Sequence, residues 1–344
     1  MPEWDLQYRM ASLLVERMPS VERIRFLVSG TEANLLAVRL ARAFTGRTAI
    51  AKAEGSYHGH SDLMVVGSST VGIAPDLVPA GVFPDVAREL HEIPFNDPDG
   101  AEEILERERK SIAAVLVEPV QGAAGMIAAS TEYLRRLRDV TARLGIVLIF
   151  DEVVTFPIAY GGAQAHHGVM PDLTTMSKAI GGGLPMAAVG GRSEIMDLLD
   201  PELYDGVAPI TSVSTFGGNV TSLAAGIKAV ELLTPEVHAH IQALGDRVRS
   251  GIDELGRAHD IPLHSTGLGH LFGMHWAPER VRDYRTRMQT DREKIVNLHL
   301  ALLNEGYYQF SLGYFLLSAA HTEEEIDGFL SALDRSLHTL GYVS

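Results

Sequence analysis

Lys178 stands in the stretch TTMSKAIGGGLP, after a run of small and apolar residues and separated by two residues from three consecutive glycines. It is the one charged residue between Asp172 and Arg192. An ammonium in apolar surroundings is less stable in its charged form, so this pattern predicts a lowered pKa and an amine able to attack a carbonyl carbon. A lysine that merely reaches from a loop into water fits the same stretch. Of the 29 basic side chains only five are lysine. Lys110 follows ERER and Lys294 follows DRE, both the pattern of a solvated helix face.

Asp151 ends the apolar run GIVLIFDEV, 27 residues before Lys178. With Glu152 it fits a solvated strand end, or a carboxylate placed to keep a heterocyclic nitrogen protonated. Ser29, Gly30 and Thr31 close another apolar run and open SGTEANLLAVRLARA, a regular amphipathic helix. Free N–H groups and the positive end of the helix dipole make such a turn a seat for phosphate, and a glycine lets the backbone approach it closely. Serine before a helix is also an ordinary N-cap. Tyr57, in SYHGHSD, offers a flat ring for stacking. His58 and His60 have no third ligand at helical or hairpin spacing, nor do His166 and His167, so no metal centre is expected. The glycines around Gly267 in TGLGHLFG are wrongly spaced for a dinucleotide fingerprint, and no Walker loop is present.

These residues need a scaffold that gathers them. Apolar runs such as RFLVSG, AAVLVEP, GIVLIFDE and MAAVGG alternate with segments of helical spacing such as TEYLRRLRDVTARLG. Strands alternating with helices predict a mostly parallel sheet covered on both faces, with ligands at the carboxyl ends of its strands. Ser29, Glu54, Glu118, Asp151 and Lys178 all fall at such ends. From about residue 231 the pattern changes to charged helices between short apolar runs, which predicts a large domain over residues 1–230 and a smaller one over 231–344. A chain of 344 residues, 46% hydrophobic and 21% charged, has the composition of a globular protein. Its net charge of -15 disfavours nucleic acid and anionic membranes as partners. No apolar run is long enough to span a bilayer and the N-terminus is no signal peptide, so the cytoplasm is the default compartment. Without cysteine there is neither a disulfide nor a thiolate nucleophile.

A nucleophilic lysine, a strand-end acid, a glycine-containing helix start and an aromatic face together equip a chain for pyridoxal 5'-phosphate. The sequence resembles class III (fold type I) aminotransferases, most closely the glutamate-1-semialdehyde 2,1-aminomutase-like branch. The likeness runs through RFLVSGTEA, GSYHGHSD, VLVEPVQG, LIFDEV, GGAQAHHGVMPDLTTMSKAIGGGLPMAAVGG, STFGGN and HTEEEID, in that order. It implies an α/β fold with a mostly parallel seven-stranded sheet covered by helices and a smaller α+β C-terminal domain. It also implies that Lys178 is the Schiff-base lysine and proton carrier, and that Asp151 pairs with the pyridinium nitrogen. Ser29, Gly30 and Thr31 would hold the phosphate, joined by Thr215 reaching in from the partner subunit. Tyr57 and Val153 would cover the two ring faces with His58 nearby, and AIGGGLP would be a small-residue turn leaving room for the cofactor. The implied unit is a homodimer with shared active sites, taking a small-molecule amino donor and an oxo acceptor.

The sequence also departs from the family pattern. After Asp151 the family commonly reads DEVxTGFR, whereas DEVVTFPIAYGG is one residue shorter, with Phe156 and Pro157 where the arginine is expected. A bidentate clamp for a substrate carboxylate is therefore absent at that point. Val154 stands where many relatives place a glutamine. Relatives carry a further segment before the helix that begins near Trp4, so the chain is expected to be either truncated or natively compact, with apolar surface exposed in that segment's place. Amino transfer between two substrates, transfer within one substrate, and racemisation use the same residues, as cofactor binding without turnover would. The absence of a glycine fingerprint disfavours a nicotinamide dehydrogenase.

Overall fold

The computed structural model describes residues 2–68, 79–309 and 313–344. Twelve strands are present among them: β1 (Arg23–Leu27), β2 (Ala49–Ala53), β3 (Leu90–Ile93), β4 (Ile112–Val117), β5 (Val120–Gln121), β6 (Ile127–Ala128), β7 (Val147–Asp151), β8 (Leu173–Met176), β9 (Ala187–Gly191), β10 (Leu263–Leu268), β11 (Leu271–Trp276) and β12 (Tyr314–Leu316). Seven of them form one sheet in the order β1-β9-β8-β7-β4-β2-β3. Strands β8, β7, β4, β2 and β3 run parallel, while β9 is antiparallel to both of its neighbours. The expected mostly parallel seven-stranded sheet is therefore present.

Strands β2, β4, β7, β8 and β9 are buried at every position, which explains why they read as continuous apolar runs rather than alternating ones. The helix Gly30–Thr45 lays Ala33, Leu36, Ala37, Leu40 and Ala41 into a core with Ile50, Leu116, Ile149 and Val189. A second core joins Met10 and Leu14 of the helix Pro2–Arg17 to Leu223 and Ile227 of the helix Val220–Leu232, with Met176 and Ile180. Each fully buried leucine or isoleucine contributes roughly 1.5–3 kcal/mol, so the two cores hold the sheet between its helical layers.

The chain divides into two compact units, Met1–Pro119 with Ala129–Thr234, and Val120–Ala128 with Pro235–Ser344. The division falls after Thr234 rather than after residue 230. Val120–Ala128, read from the sequence as part of the large domain, belongs to the C-terminal unit through β6, which packs on β10. Strands β10, β11 and β12 form an antiparallel sheet covered by the helices Pro235–Ala258, Arg292–Asn304 and Glu323–Thr339. Phe272 and Phe315 stack at 4.5 Å in that unit's core. No helix among the described residues is long and apolar enough to cross a membrane.

Candidate active site

Strands β7 and β8 are parallel neighbours in which Asp151 lies opposite Thr175, three residues before Lys178. The carboxyl ends of both strands therefore open on the same edge of the sheet. Asp151, only 4% exposed, is fixed there by three contacts. Its Oδ2 lies 2.8 Å from Nδ1 of His58 and accepts from Nδ2 of Asn34 at 2.8 Å, while Oδ1 accepts from the Val153 amide at 3.1 Å. Burial pushes the pKa of His58 down against the opposing pull of Asp151, so the imidazole is neutral with its proton on Nδ1. The other ring nitrogen, Nε2, is buried and has no hydrogen-bond partner among the described residues.

Asn34 links four parts of this edge. From the helix Gly30–Thr45 it donates to Asp151 and to the carbonyl of His58 at 3.0 Å, and its Oδ1 accepts from Thr175 Oγ1 at 2.8 Å. The same helix starts at Gly30, with Ser29 as N-cap accepting from the Glu32 amide. The N–H groups of Gly30 and Thr31 occupy the first helical positions, which have no acceptor within a helix. A Cβ at Gly30 would come within 2.9 Å of Val153 Cγ2, so the helix start packs on the residue that follows the strand-end acids. The helix start, Val153, Asp151 and His58 thus meet at one edge of the sheet.

Tyr57 is partly exposed, and its amide donates to Glu118 Oε1 at 2.8 Å at the end of β4. Beneath this loop lies Lys52 of β2, 0% exposed, with Nζ donating to the Met64 carbonyl at 3.0 Å. Burial pushes its pKa down to about 8, with Glu92 and Glu118 acting in the opposite direction. Lys178, in contrast, is exposed within one chain despite its apolar sequence neighbours, and the buried lysine is Lys52.

The backbone at Lys178 has φ of 48°, a left-handed conformation that costs a non-glycine residue about 1–3 kcal/mol and is typical of functional turns. Ser177 Oγ donates to the Met186 carbonyl at 2.8 Å and closes the loop between β8 and β9 that carries it. The glycines after it do more than leave space. A Cβ at Gly182 would meet the Ala225 carbonyl oxygen at 2.5 Å, and one at Gly226 would meet the Ile180 carbonyl oxygen at 2.2 Å. They bring the helix Val220–Leu232 into backbone contact with the lysine turn.

Thr215 is exposed, on a loop whose Ser214 donates to Glu32 at 3.0 Å. Phe156 is buried in the core beside Met10 and Met176, so a hydrophobic side chain occupies the point where an arginine was expected. Glu152 is not an open strand-end acid, since it accepts from the Ala163 and Gln164 amides, and burial raises its pKa. Asn34, Thr175 and Lys52 were not anticipated from the sequence. A polar residue on the stripe Ala33, Ala37, Leu40, and a lysine inside AIAKA, were the available signals.

The family model for Aminotransferase class-III matches residues 3–337. Glutamate-1-semialdehyde 2,1-aminomutase 2 of Anoxybacillus flavithermus is 39% identical over 340 residues, covering 96% of this chain and 77% of that protein. The crystal structure of an omega-transaminase from Sphaerobacter thermophilus superposes with a TM-score of 0.91 at 37% identity, covering 97% of this chain and 78% of the other. A solved structure described as a transaminase with PLP bound gives 0.88 at 33% identity, covering 97% and 77%. With a family model over residues 3–337 and relatives at 37–39% identity covering nearly all of its length, the chain belongs to the class-III aminotransferases.

Proposed function

We propose that this enzyme moves an amino group from an amino acid or amine donor to an oxo acid, aldehyde or ketone, with pyridoxal 5'-phosphate as its cofactor. The observation that carries the reading is the buried Asp151 carboxylate, held by His58, Asn34 and the Val153 amide at a strand end adjacent in register to the strand that leads to Lys178. The residues fit the cofactor: a fixed carboxylate suits a protonated ring nitrogen, and a helix start with free N–H groups suits a phosphate. The bound cofactor supplies an aldehyde that condenses with amines and a ring that accepts an electron pair. A relative at 33% identity is described as carrying PLP, which supports the assignment.

In this reading Lys178 holds the cofactor and moves the proton between substrate carbon and cofactor carbon. Asp151 keeps the ring nitrogen protonated, and His58 and Asn34 keep Asp151 aimed. Ser29, Gly30 and Thr31 take the phosphate, while Tyr57 and Val153 confine the ring. Thr215 would complete the phosphate seat of a partner subunit. Val213 and Phe216, 85% and 67% exposed on either side of it, support a homodimer in which a second copy covers this loop.

The test is the visible spectrum of the purified chain with pyridoxal phosphate, recorded also for Lys178→Ala and after adding an amine donor. A band that needs Lys178 and bleaches with donor, followed by product from an acceptor, is expected. Absence of a lysine-dependent band would sink the proposal, and a band without turnover over a broad donor panel would reduce it to cofactor binding. A second reading, amino transfer within one substrate, is favoured by the aminomutase at 39% identity. Conversion of glutamate 1-semialdehyde with no second substrate would establish it.

A further inference from the structure

Far along the chain from the residues discussed so far, in the C-terminal unit, His259, Asp334 and His338 come together so that one donor atom of each lies within 4.8 Å of the others. His259 follows the last residue of the helix Pro235–Ala258, and Asp334 and His338 sit one turn apart on one face of the helix Glu323–Thr339. His259 Nε2 lies 2.7 Å from Asp334 Oδ1, and His338 Nε2 lies 4.0 Å from the same oxygen. The two imidazole rings stand nearly perpendicular with centroids 5.4 Å apart.

We propose that these three side chains form a divalent-cation site of the zinc type, with water completing the coordination. Two histidines and one carboxylate are a donor set that zinc favours, and bonds of roughly 2.0–2.2 Å in tetrahedral geometry place donors about 3.3–3.5 Å apart. The separations of 2.7 and 4.0 Å from Asp334 bracket that spacing and every donor pair lies within 4.8 Å, so no separation has to change by more than about 1.5 Å. All three side chains are partly exposed and free to make such shifts. Both histidines lie at carboxyl ends of helices, where the dipole favours positive charge. The neighbouring cation, Arg335, is engaged by Glu305. A hydrogen bond serving only to join two helices would need His259 and Asp334 alone; His338 is the third donor that turns the pair into a site.

Metal ligands bind in their deprotonated forms, so zinc affinity falls as the solution becomes acidic. The ion would tie the end of one helix to another without touching the active-site residues, and it is independent of the function proposed above. The test is calorimetric titration of the full, cofactor-loaded chain with Zn2+, backed by the visible d–d spectrum of Co2+, with His338→Ala and Asp334→Asn as variants. One Zn2+ per chain and a raised Tm are expected for wild type. Each variant should lose affinity by more than the roughly 10- to 100-fold that loss of an outer partner costs, with its circular dichroism and its cofactor band unchanged. Because the chain carries 14 histidines, zinc binding of equal affinity in wild type and both variants would place the ion elsewhere and overturn the proposal, as would no binding at all.

Discussion

Asn34 occupies a position that the helix pattern would fill with an apolar residue, and it satisfies the Asp151 carboxylate, the His58 carbonyl and the Thr175 hydroxyl together. Its removal leaves buried polar groups unpaired, at about 1–3 kcal/mol for each. Asn34→Ala should therefore lower the unfolding free energy by at least about 2 kcal/mol in urea titrations. It should also weaken retention of the cofactor, because Asp151 loses one of the groups that aim it. Lys52 makes a prediction of opposite character. Its folded pKa of about 8 lies below the unfolded value of 10.5, so the buried charge opposes folding at neutral pH, and the opposition fades as pH climbs from about 8 to 10.5. Relative to Lys52→Met, the wild type should gain about 3 kcal/mol across that window. A difference that stays flat with pH would show that Lys52 is not desolvated. Lys178 and Lys52 also show what a linear reading can miss. The polarity of sequence neighbours described the turn around Lys178 but not the exposed tip of its side chain, whereas the burial of Lys52 depends on a loop and a strand end far away in the chain.

At the scale of elements, the strand ends were legible because each closes a continuous apolar run; Ser29 leads from one into a helix, while Asp151 and Lys178 lead into short turns. What the sequence does not reveal is a second demand on one of the three glycines after the lysine. Gly182 faces the helix Val220–Leu232, which lies some forty residues further on and presses its own backbone against the turn. Alanine is preferred over glycine in a helix by about 1 kcal/mol, so Gly226→Ala would stabilise this helix in isolation. In the folded chain the new Cβ would meet the Ile180 carbonyl oxygen at 2.2 Å, a backbone atom that no rotamer change can move aside. Gly226→Ala should thus lower Tm and shift or abolish the lysine-dependent absorption band. An unchanged band and Tm would mean that the turn tolerates displacement.

For the whole molecule, burial of histidine ties stability to pH. Burial lowers the pKa of His167 and His270 to about 4 and that of His275 to about 3. In the unfolded chain they take up protons near pH 6.5, so stability that is complete above that value drains away as pH falls toward 4, at about 2 kcal/mol for each group by pH 5. Urea midpoints at pH 7 and pH 5 should differ accordingly, and His275→Gln should reduce the difference. The alternation of strands and helices foretold the class of fold, and the change in pattern near residue 231 lies close to Pro235, where the longer segment of the second unit begins. The order of the strands was not legible, since nothing in RIRFL indicates that its neighbour is AAVGG, with Arg23 opposite Gly191. That pairing has a consequence for the chain as it is made. At a synthesis rate of roughly 5–20 residues per second, β1 leaves the ribosome on the order of ten seconds or more before β9, its neighbour in the sheet among the described residues, exists. During that interval its edge is unpaired and open to other nascent chains, so the yield of native protein should depend on how fast it is translated and on what shields the first strand until the ninth arrives.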